Sequence, residues 1–250
     1  MKRVFQKLWS GGRGAGVEIA GQTNKGLVRS HNEDAFAIHP KSNTAVVADG
    51  MGGLARGDEA SRIVVDCVMD AVREGKSAAE GLRTADANIR RLSTESAGQE
   101  RIGSTAVAVQ VQGGTATLAW VGDSRAYLWR KGELKQLTRD HTFVQELIDL
   151  GAITQAEAEQ HPNRNVVTRA IGLREGKPLD IAQAKVDLAG GDRLLLCTDG
   201  LYGYLPAGRI SALLAACRTG GEVVEKLIEA TLRETEAGDN VTVVSLGSDS

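Results

Sequence analysis

The chain has 250 residues, 42% of them hydrophobic and 25% charged, which is typical of a globular protein whose core needs no disulfide or metal staples. Its 30 basic and 32 acidic residues give a formal net charge of -2, which argues against a broad nucleic-acid-binding surface. The apolar runs fall short of the ~20 residues that a membrane-spanning helix needs, so we expect no membrane span.

The cysteines are expected to be buried free thiols. Cys67, Cys197 and Cys217 stand in apolar contexts, form no CxxC pair and lack the spacing of metal ligands. Because disulfides are rare in reducing compartments, this odd set predicts a cytoplasmic protein.

The N-terminal stretch MKRVFQKLWSGGRGAG is basic and rich in glycine, and it lacks the apolar core of a signal peptide. We expect residues 1–16 to be a flexible tail in front of a single domain over residues 17–250. The alternative is a helix that touches an anionic membrane through Phe5, Leu8 and Trp9. So short a helix is marginal in water, and the tail is therefore preferred.

The first predicted elements are strands followed by two helices. Strand patterns cover VEIAGQT, DAFAIHP and TAVVADG. Helical periodicity then covers about residues 58–74 and 77–96. The first helix has Asp58 as its expected N-cap and an apolar side made of Ile63, Val64, Cys67, Val68 and Val72.

The second half of the chain repeats this grouping. Its strand patterns are STAVAVQVQ, TATLAWVGD, RAYLWRKG, ELKQLT, LDIAQAKVDL, DRLLLCTDG and NVTVVSLG, with Gly113-Gly114 as a hairpin link. The helical patterns are FVQELIDLG and ITQAEAEQHP within residues 142–170, and later RISALLAACR and GEVVEKLIEATLRETE. Strands in groups and helices in pairs predict an α+β domain with helix pairs packed on antiparallel sheets.

Acidic residues recur where these strands begin or end. They are Glu33 and Asp34 before AFAI, Asp49 after TAVVA, Asp123 after TLAWVG, Asp199 after LLLCT, and Asp239 before NVTVV. Taken singly, each is more often a turn residue, and Gly191-Asp192 is interpreted as such a turn. Several on different strands indicate a site, although spacing alone leaves open whether they converge.

Convergence would require cations. Two carboxylates about 4 Å apart repel by ~4 kcal/mol at an effective dielectric constant near 20. Oxygen ligands without a nearby His or Cys favour hard ions, Mg²⁺ or Mn²⁺, over zinc. A pair of such ions suits the hydrolysis of phosphate esters.

Seven motifs occur in an order that resembles one family. RSHNEDA, VVADGMGG, GSTA, GDSRAY, LTRDH, CTDGL and GDNVT run from about Val17 to Gly247 as in the metal-dependent protein phosphatases of type 2C, the PPM family. The segments DGMGG and ELIDLGAIT…HPNRNVVTRAIG resemble its bacterial branch. The resemblance implies a monomeric serine/threonine protein phosphatase that acts on phosphorylated proteins and opposes a bacterial Ser/Thr kinase.

The fold that this resemblance implies is a central antiparallel β-sandwich flanked by pairs of helices, in four layers (α-β-β-α). The segment at about residues 142–172 resembles the family's flap beside the active site, which would affect substrate choice more than chemistry. The alternative is a helical insertion that only covers a sheet edge.

The resemblance also implies a ligand set for two tightly bound Mn²⁺ or Mg²⁺ ions and a weaker third. Asp49 would bridge both tight ions. The other implied ligands are the Gly50 carbonyl for the second ion, Asp199 and Asp239 for the first, Glu33 and Asp34 around the second through water, and Asp123 with Asp199 for the third.

Arg29 is the implied phosphate clamp, because a guanidinium offers paired donors to phosphoryl oxygens. Asn240 is expected to orient Asp239. The implied chemistry is direct in-line attack by a metal-bridging hydroxide without a phosphoenzyme. Where some animal members carry a His after the Asp-Gly pair, this chain has Met51, which cannot donate a proton. His31 and His141 are interpreted as structural.

Two other functions remain as alternatives. A binding module that has lost catalysis is disfavoured by the intact acidic set. A two-metal nuclease is disfavoured by the near-neutral charge.

Overall fold

The computed structural model describes residues 6–8, 17–52, 56–95, 101–173 and 178–248. The strands are β1 (Gln6–Leu8), β2 (Val17–Asn24), β3 (Asp34–His39), β4 (Thr44–Gly52), β5 (Ile102–Gln112), β6 (Thr115–Val121), β7 (Arg125–Arg130), β8 (Glu133–Gln136), β9 (Ala182–Asp187), β10 (Arg193–Cys197) and β11 (Val241–Ser248). The α-helices are α1 (Gly57–Arg73), α2 (Ala78–Glu95), α3 (Phe143–Asp149), α4 (Gln155–Glu159), α5 (Asp199–Tyr202), α6 (Ala207–Ala216) and α7 (Gly220–Glu234).

These strands form two antiparallel sheets. One has six strands in the order β1-β2-β11-β10-β7-β8, and the other has five in the order β3-β4-β5-β6-β9. Alternate residues of both sheets meet in a shared apolar layer, in which Val47 and Val107 of the five-stranded sheet join Leu196 and Val244 of the six-stranded sheet. The strand periodicity of two is therefore what builds the sandwich core.

Helices cover the outer face of each sheet. Val64 of α1 and Leu82 of α2 pack on the five-stranded sheet, while Leu214 of α6 and Leu227 of α7 pack on the six-stranded sheet. The predicted four-layer α-β-β-α architecture is confirmed. Across the described residues, no helix is long and apolar enough to cross a membrane.

Three local predictions differ from the structure. The first long helix begins at Gly57 with Arg56 as its N-cap, so the prediction of Asp58 as N-cap is wrong and Asp58 lies in the first turn. The strand predicted over DRLLLCTDG ends at Cys197, and Asp199 begins the short helix α5, which periodicity did not predict because one turn is too short to show a period. Of the cysteines, Cys197 and Cys217 are buried as expected, but Cys67 is only partly buried; all three are free.

The expected flexible tail is described only at Gln6–Leu8, where the backbone pairs antiparallel with β2. The rest of residues 1–16 lies outside the described residues, so the flexible tail stays a prediction. Phe5 and Trp9, invoked for the membrane alternative, lie outside the described residues.

The expected insertion contains α3 and α4. Thr142 and Thr154 cap these helices by accepting bonds from the backbone amides of Gln145 and Glu157. The insertion is attached to the sandwich through His141, whose backbone amide donates to the Gly122 carbonyl at 3.0 Å and whose carbonyl accepts from the Thr168 amide at 2.8 Å.

Candidate active site

The predicted acidic residues converge at one place between the sheets. Asp34 and Asp49 lie opposite each other on β3 and β4. Burial raises the pKa of Asp49 well above its usual value, and the negative charges of Asp34, Asp199, Asp123 and Asp239 each raise this pKa further. The structure thus brings together acids whose spacing left their convergence open.

A glycine follows Asp49 because the backbone at position 50 lies close to another segment of the chain. Its amide donates to the Glu33 carbonyl at 3.1 Å, and a Cβ at this position would lie 1.9 Å from the Gly57 carbonyl oxygen. Two backbone segments therefore approach closely where only glycine fits. The Glu33 carboxylate is directed to the same place, accepting from the Gly57 amide at 3.2 Å.

Asp34 has close protein partners that the sequence did not indicate. Its Oδ2 accepts hydrogen bonds from the hydroxyls of Thr198, at 2.9 Å, and Thr242, at 2.7 Å. Burial raises the pKa of Asp34 to about 7, and the two hydroxyls act in the opposite direction. Asp34 on β3 therefore accepts hydrogen bonds from residues at the other sheet, one next to Asp199 and one on the strand that follows Asp239.

Arg29 and Asp239 form an ion pair at the more exposed side of the site. The Nη2–Oδ2 distance is 2.9 Å, and the side chains are 51% and 30% exposed. The hydrogen bond and the charge of Asp239 raise the pKa of the Arg29 guanidinium. Because half of the Arg29 side chain is open to solvent, the guanidinium can reach a ligand that approaches from outside.

Asn240 contacts Asp239 through its backbone, as expected, and a neighbouring loop through its side chain. Its backbone amide does donate to Asp239 Oδ1 at 2.8 Å. Its side chain instead accepts from the Glu33 amide at 2.8 Å and donates to the carbonyls of Lys25, at 3.0 Å, and His31, at 2.9 Å. The Asn240 side chain thus fixes the loop that carries Arg29.

Asp199 and Asp123 form the deeper side of the site. Burial raises the pKa of Asp199 to about 8, with further increases from Asp123, Asp239 and Asp34. Burial also raises the pKa of Asp123 to about 6, and the charge of Asp140 adds to this. Each acid is therefore destabilised in its ionised form unless a cation is nearby.

Asp192 is an acidic residue outside the site, and its hydrogen-bonding environment differs from that of the converging acids. Arg130 donates to it at 2.5, 2.9 and 3.1 Å, and the Ala189 amide donates at 2.7 Å. This hydrogen bonding lowers the pKa of Asp192, the opposite of what burial does to the converging acids. Its interpretation as a turn residue is consistent with these contacts.

The donor set fits hard divalent cations. In the part of the chain that the structure describes, no three His, Cys, Asp or Glu side chains are arranged to hold a metal ion by themselves. Mg²⁺ and similar hard ions bind carboxylate and carbonyl oxygens together with water. Carboxylate oxygens of Asp49, Asp199 and Asp239 with the Gly50 carbonyl are donors of that type.

The family model described as "Protein phosphatase 2C" matches residues 27–235. The chain therefore belongs to the protein phosphatase 2C family.

Named bacterial relatives agree with this assignment. The serine/threonine protein phosphatase PstP of Mycobacterium tuberculosis is 37% identical over 236 residues, which cover 91% of this chain and 44% of that protein. The serine/threonine phosphatase Stp of Listeria innocua is 35% identical over 237 residues, which cover 89% of this chain and 92% of that protein. The chain thus spans less than half of the mycobacterial relative and nearly all of the listerial one.

Solved structures share the fold. The crystal structure of M. tuberculosis PstP/Ppp superposes with a TM-score of 0.84 at 33% identity, covering 94% of this chain and 99% of that one. The catalytic domain of PstP in complex with two manganese ions superposes with a TM-score of 0.81 at 32% identity, again covering 94% and 99%.

Proposed function

We propose that the protein is a metal-dependent phosphatase that hydrolyses phosphoserine and phosphothreonine in proteins. The observation that carries this proposal is the convergence of buried acids from both sheets around Asp49, beside the solvent-accessible Arg29. Family membership and the names of the relatives support the substrate class.

Each residue of the site has a defined task in this proposal. Asp49, the Gly50 carbonyl, Asp199 and Asp239 would hold two Mn²⁺ or Mg²⁺ ions, and Asp123 with Asp199 would contribute to a weaker third site. Glu33 and Asp34 support the second ion. Such ions, when bound, supply an activated water and neutralise charge on phosphoryl oxygens.

The protein's other contributions are orientation and charge. Arg29 binds the phosphoryl oxygens of the substrate through its guanidinium, which also stays close to Asp239. Burial raises the pKa of the Cys197 thiol, so it is a poor nucleophile, in accord with direct transfer to water. Met51 has no proton for the leaving serine or threonine oxygen, so that proton comes from elsewhere in the site.

The proposal extends to the cellular setting. We place the protein in the cytoplasm as a monomer that reverses the work of a Ser/Thr kinase. The free cysteines support a reducing compartment.

Phosphate release from an aryl phosphate and from a phosphothreonine peptide, with and without Mn²⁺ and with DNA as competitor, tests the function. We expect Mn²⁺-dependent release that DNA does not inhibit. Absence of release with intact Mn²⁺ binding would favour the inactive binding module, and cleavage of DNA would favour the nuclease.

Replacing Arg29 should weaken substrate binding without loss of metal. Arg29→Ala is expected to lower kcat/KM for a phosphopeptide by roughly 10–100-fold, because a charge-assisted contact contributes about 1.5–3 kcal/mol. Mn²⁺ affinity should stay the same or rise, since Asp239 loses its ion-pair partner. Steady-state kinetics and calorimetry measure the two effects.

Lys25→Ala is the matched control, because Lys25 is an exposed cation of the same loop that donates to the Arg29 carbonyl. It should change kcat/KM little. A large loss of Mn²⁺ affinity in Arg29→Ala would show that Arg29 has a structural role instead.

Asp123→Ala separates a ligand from a turn residue. If Asp123 is a ligand of a weak ion site, Asp123→Ala should leave the melting temperature unchanged or raise it, because the substitution removes a buried charge that lies among other acids. Turnover should fall by roughly tenfold or more at moderate Mn²⁺. Thermal unfolding and kinetics on the same preparation decide between the two roles.

Asp192→Ala is the control, since it alters another Gly-Asp pair whose acid is hydrogen-bonded by Arg130. It should lower the melting temperature and leave turnover unchanged. If Asp123→Ala behaves in the same way, Asp123 is a turn residue.

A further inference from the structure

Tyr202 connects two loops of the site that are distant in sequence. It is the last residue of the one-turn helix α5, whose first residue is Asp199. Its hydroxyl donates to the backbone carbonyl of Asp123 at 2.9 Å. The Tyr202 side chain therefore connects α5, which carries Asp199, with the backbone of Asp123.

The ring of Tyr202 packs against a partly buried cation, Arg125. The Cζ atom of Arg125 lies 3.6 Å from the ring centroid, which is the geometry of a cation–π contact. Arg125 is itself held by Asp140, with Nε–Oδ distances of 3.1 and 2.9 Å and an Nη2–Oδ2 distance of 2.6 Å. Asp140 also accepts from Gln136 Nε2 at 2.9 Å.

The chain just before Asp123 is fixed as well. The Gly122 amide donates to His141 Nδ1 at 3.0 Å, and the Gly122 carbonyl accepts from the His141 amide at 3.0 Å. Gly122 has φ +99, and a Cβ there would lie 2.5 Å from Thr105 Cβ. Asp123 is thus restrained on its N-terminal side by His141 and at its own carbonyl by Tyr202.

The hydrogen bond from the Tyr202 hydroxyl to the Asp123 carbonyl connects the helix that carries Asp199 with the backbone of Asp123. A helix of one turn has few internal hydrogen bonds and gains its order from tertiary contacts. Tyr202 supplies such a contact for α5, and the contact ends on the residue that shares the deeper side of the site with Asp199. Loss of the hydroxyl removes this link but keeps the ring beneath Arg125.

We propose that Tyr202, held in place by Arg125, is a positioning residue that sets the separation between Asp123 and Asp199 and so determines the affinity of the weaker ion site. The inference rests on the proposed function in taking these two acids as ligands of that site. Its consequence is that the Mn²⁺ concentration needed for full activity depends on a hydroxyl that donates to the Asp123 carbonyl.

Tyr202→Phe and Tyr127→Phe form the test pair. Both substitutions remove one hydroxyl near Arg125. Arg125 Nη1 donates to the Tyr127 hydroxyl at 3.1 Å. Tyr127 lies on β7, and its hydroxyl is bonded to Arg125 rather than to Asp123. Mn²⁺ binding is measured by calorimetry and by the electron paramagnetic resonance signal of free Mn²⁺. Melting temperature and phosphopeptide turnover across a Mn²⁺ series are measured on the same samples.

We expect Tyr202→Phe to weaken the weakest Mn²⁺ binding event by about five- to tenfold while tight binding stays unchanged. The Mn²⁺ concentration for half-maximal turnover should rise by a similar factor, and high Mn²⁺ should restore most of the turnover. Tyr127→Phe, which removes a hydroxyl bonded to Arg125 but not to Asp123, should shift both readouts clearly less than Tyr202→Phe. Arg125→Lys, which keeps the charge but loses the planar contact, should shift the weak event in the same direction.

Unchanged weak binding in Tyr202→Phe overturns the proposal, as does an equal loss in Tyr127→Phe or the lack of a weak event in the unaltered protein. Failure of the proposed function is a different result. If the unaltered protein binds Mn²⁺ but releases no phosphate, the phosphatase assignment fails, and the Mn²⁺ titrations alone still decide the role of Tyr202.

Discussion

Asp199→Asn should lower phosphatase turnover by more than about 100-fold while the fold is kept. Residues that only support a metal ligand typically cost 10–100-fold when replaced, and Asp199 is placed among the ligands themselves. The amide has the same volume but no negative charge, so two ion sites would lose an anionic donor. Steady-state kinetics at saturating Mn²⁺ measure the loss, and circular dichroism checks the fold.

The same substitution should stabilise the metal-free protein. Burial and neighbouring acids raise the pKa of Asp199 to about 8, so at neutral pH the folded metal-free protein holds Asp199 mostly protonated, and protonating it costs free energy that has no counterpart in the unfolded chain. The variant should therefore melt at a higher temperature in EDTA and gain less from added Mn²⁺ than the unaltered protein.

Asp70→Asn on α1 serves as the control, since Asp70 is exposed and paired with Arg73 on the surface. It should change neither turnover nor Mn²⁺-induced stabilisation. An Asp199→Asn protein with most of its activity at saturating Mn²⁺ would remove Asp199 from the ligand set.

Lowering the pH should stabilise the metal-free protein between about pH 8 and about pH 6. In the folded state the pKa is raised to about 8 for Asp199, about 7 for Asp34 and about 6 for Asp123, against an ordinary value of 3.8 for each. Over this range these three carboxyl groups take up protons in the folded protein but stay ionised in the unfolded chain, and they outnumber His141, whose pKa burial lowers. The free energy of unfolding therefore rises as pH falls, and the stability is lost as pH rises through these values.

Thermal unfolding in EDTA at a series of pH values measures this dependence. With saturating Mn²⁺ the trend should flatten or reverse, because ligation requires ionised carboxylates. Asp199→Asn should have a shallower dependence than the unaltered metal-free protein. A melting temperature in EDTA that is constant or falls from pH 8 to pH 6 would contradict the raised pKa values.

Much of the fold was predictable because the sandwich depends on local periodicity. Val47 and Val107 alternate with residues on the opposite face of their strands. Val64 and Leu82 each belong to an apolar side of a helix, whose residues recur at helical spacing. Short windows of sequence therefore predict the strands and the paired helices. The helix α5 was not predictable in this way, because Asp199–Tyr202 is one turn whose order comes from tertiary contacts.

The site was predictable only in part. The ordered motifs identified the acids, but spacing did not show that Asp34 and Asp49 would face each other or that Asp239 would meet Arg29. The Asn240 side chain binds the Lys25 and His31 carbonyls, and Thr198 and Thr242 bind Asp34. These contacts join segments that are far apart in sequence, so no local pattern indicates them.

The shared layer between the two sheets has a consequence for how this protein tolerates mutation. Asp49 belongs to the five-stranded sheet, while Asp199 and Asp239 flank strands of the six-stranded sheet, so the spacing of the acids depends on how the sheets lie on each other. Val47 and Leu196 pack in that layer. Protein interiors transmit small volume changes to their neighbours. Substitutions in this apolar layer will therefore change the spacing of the acids as well as the stability of the fold.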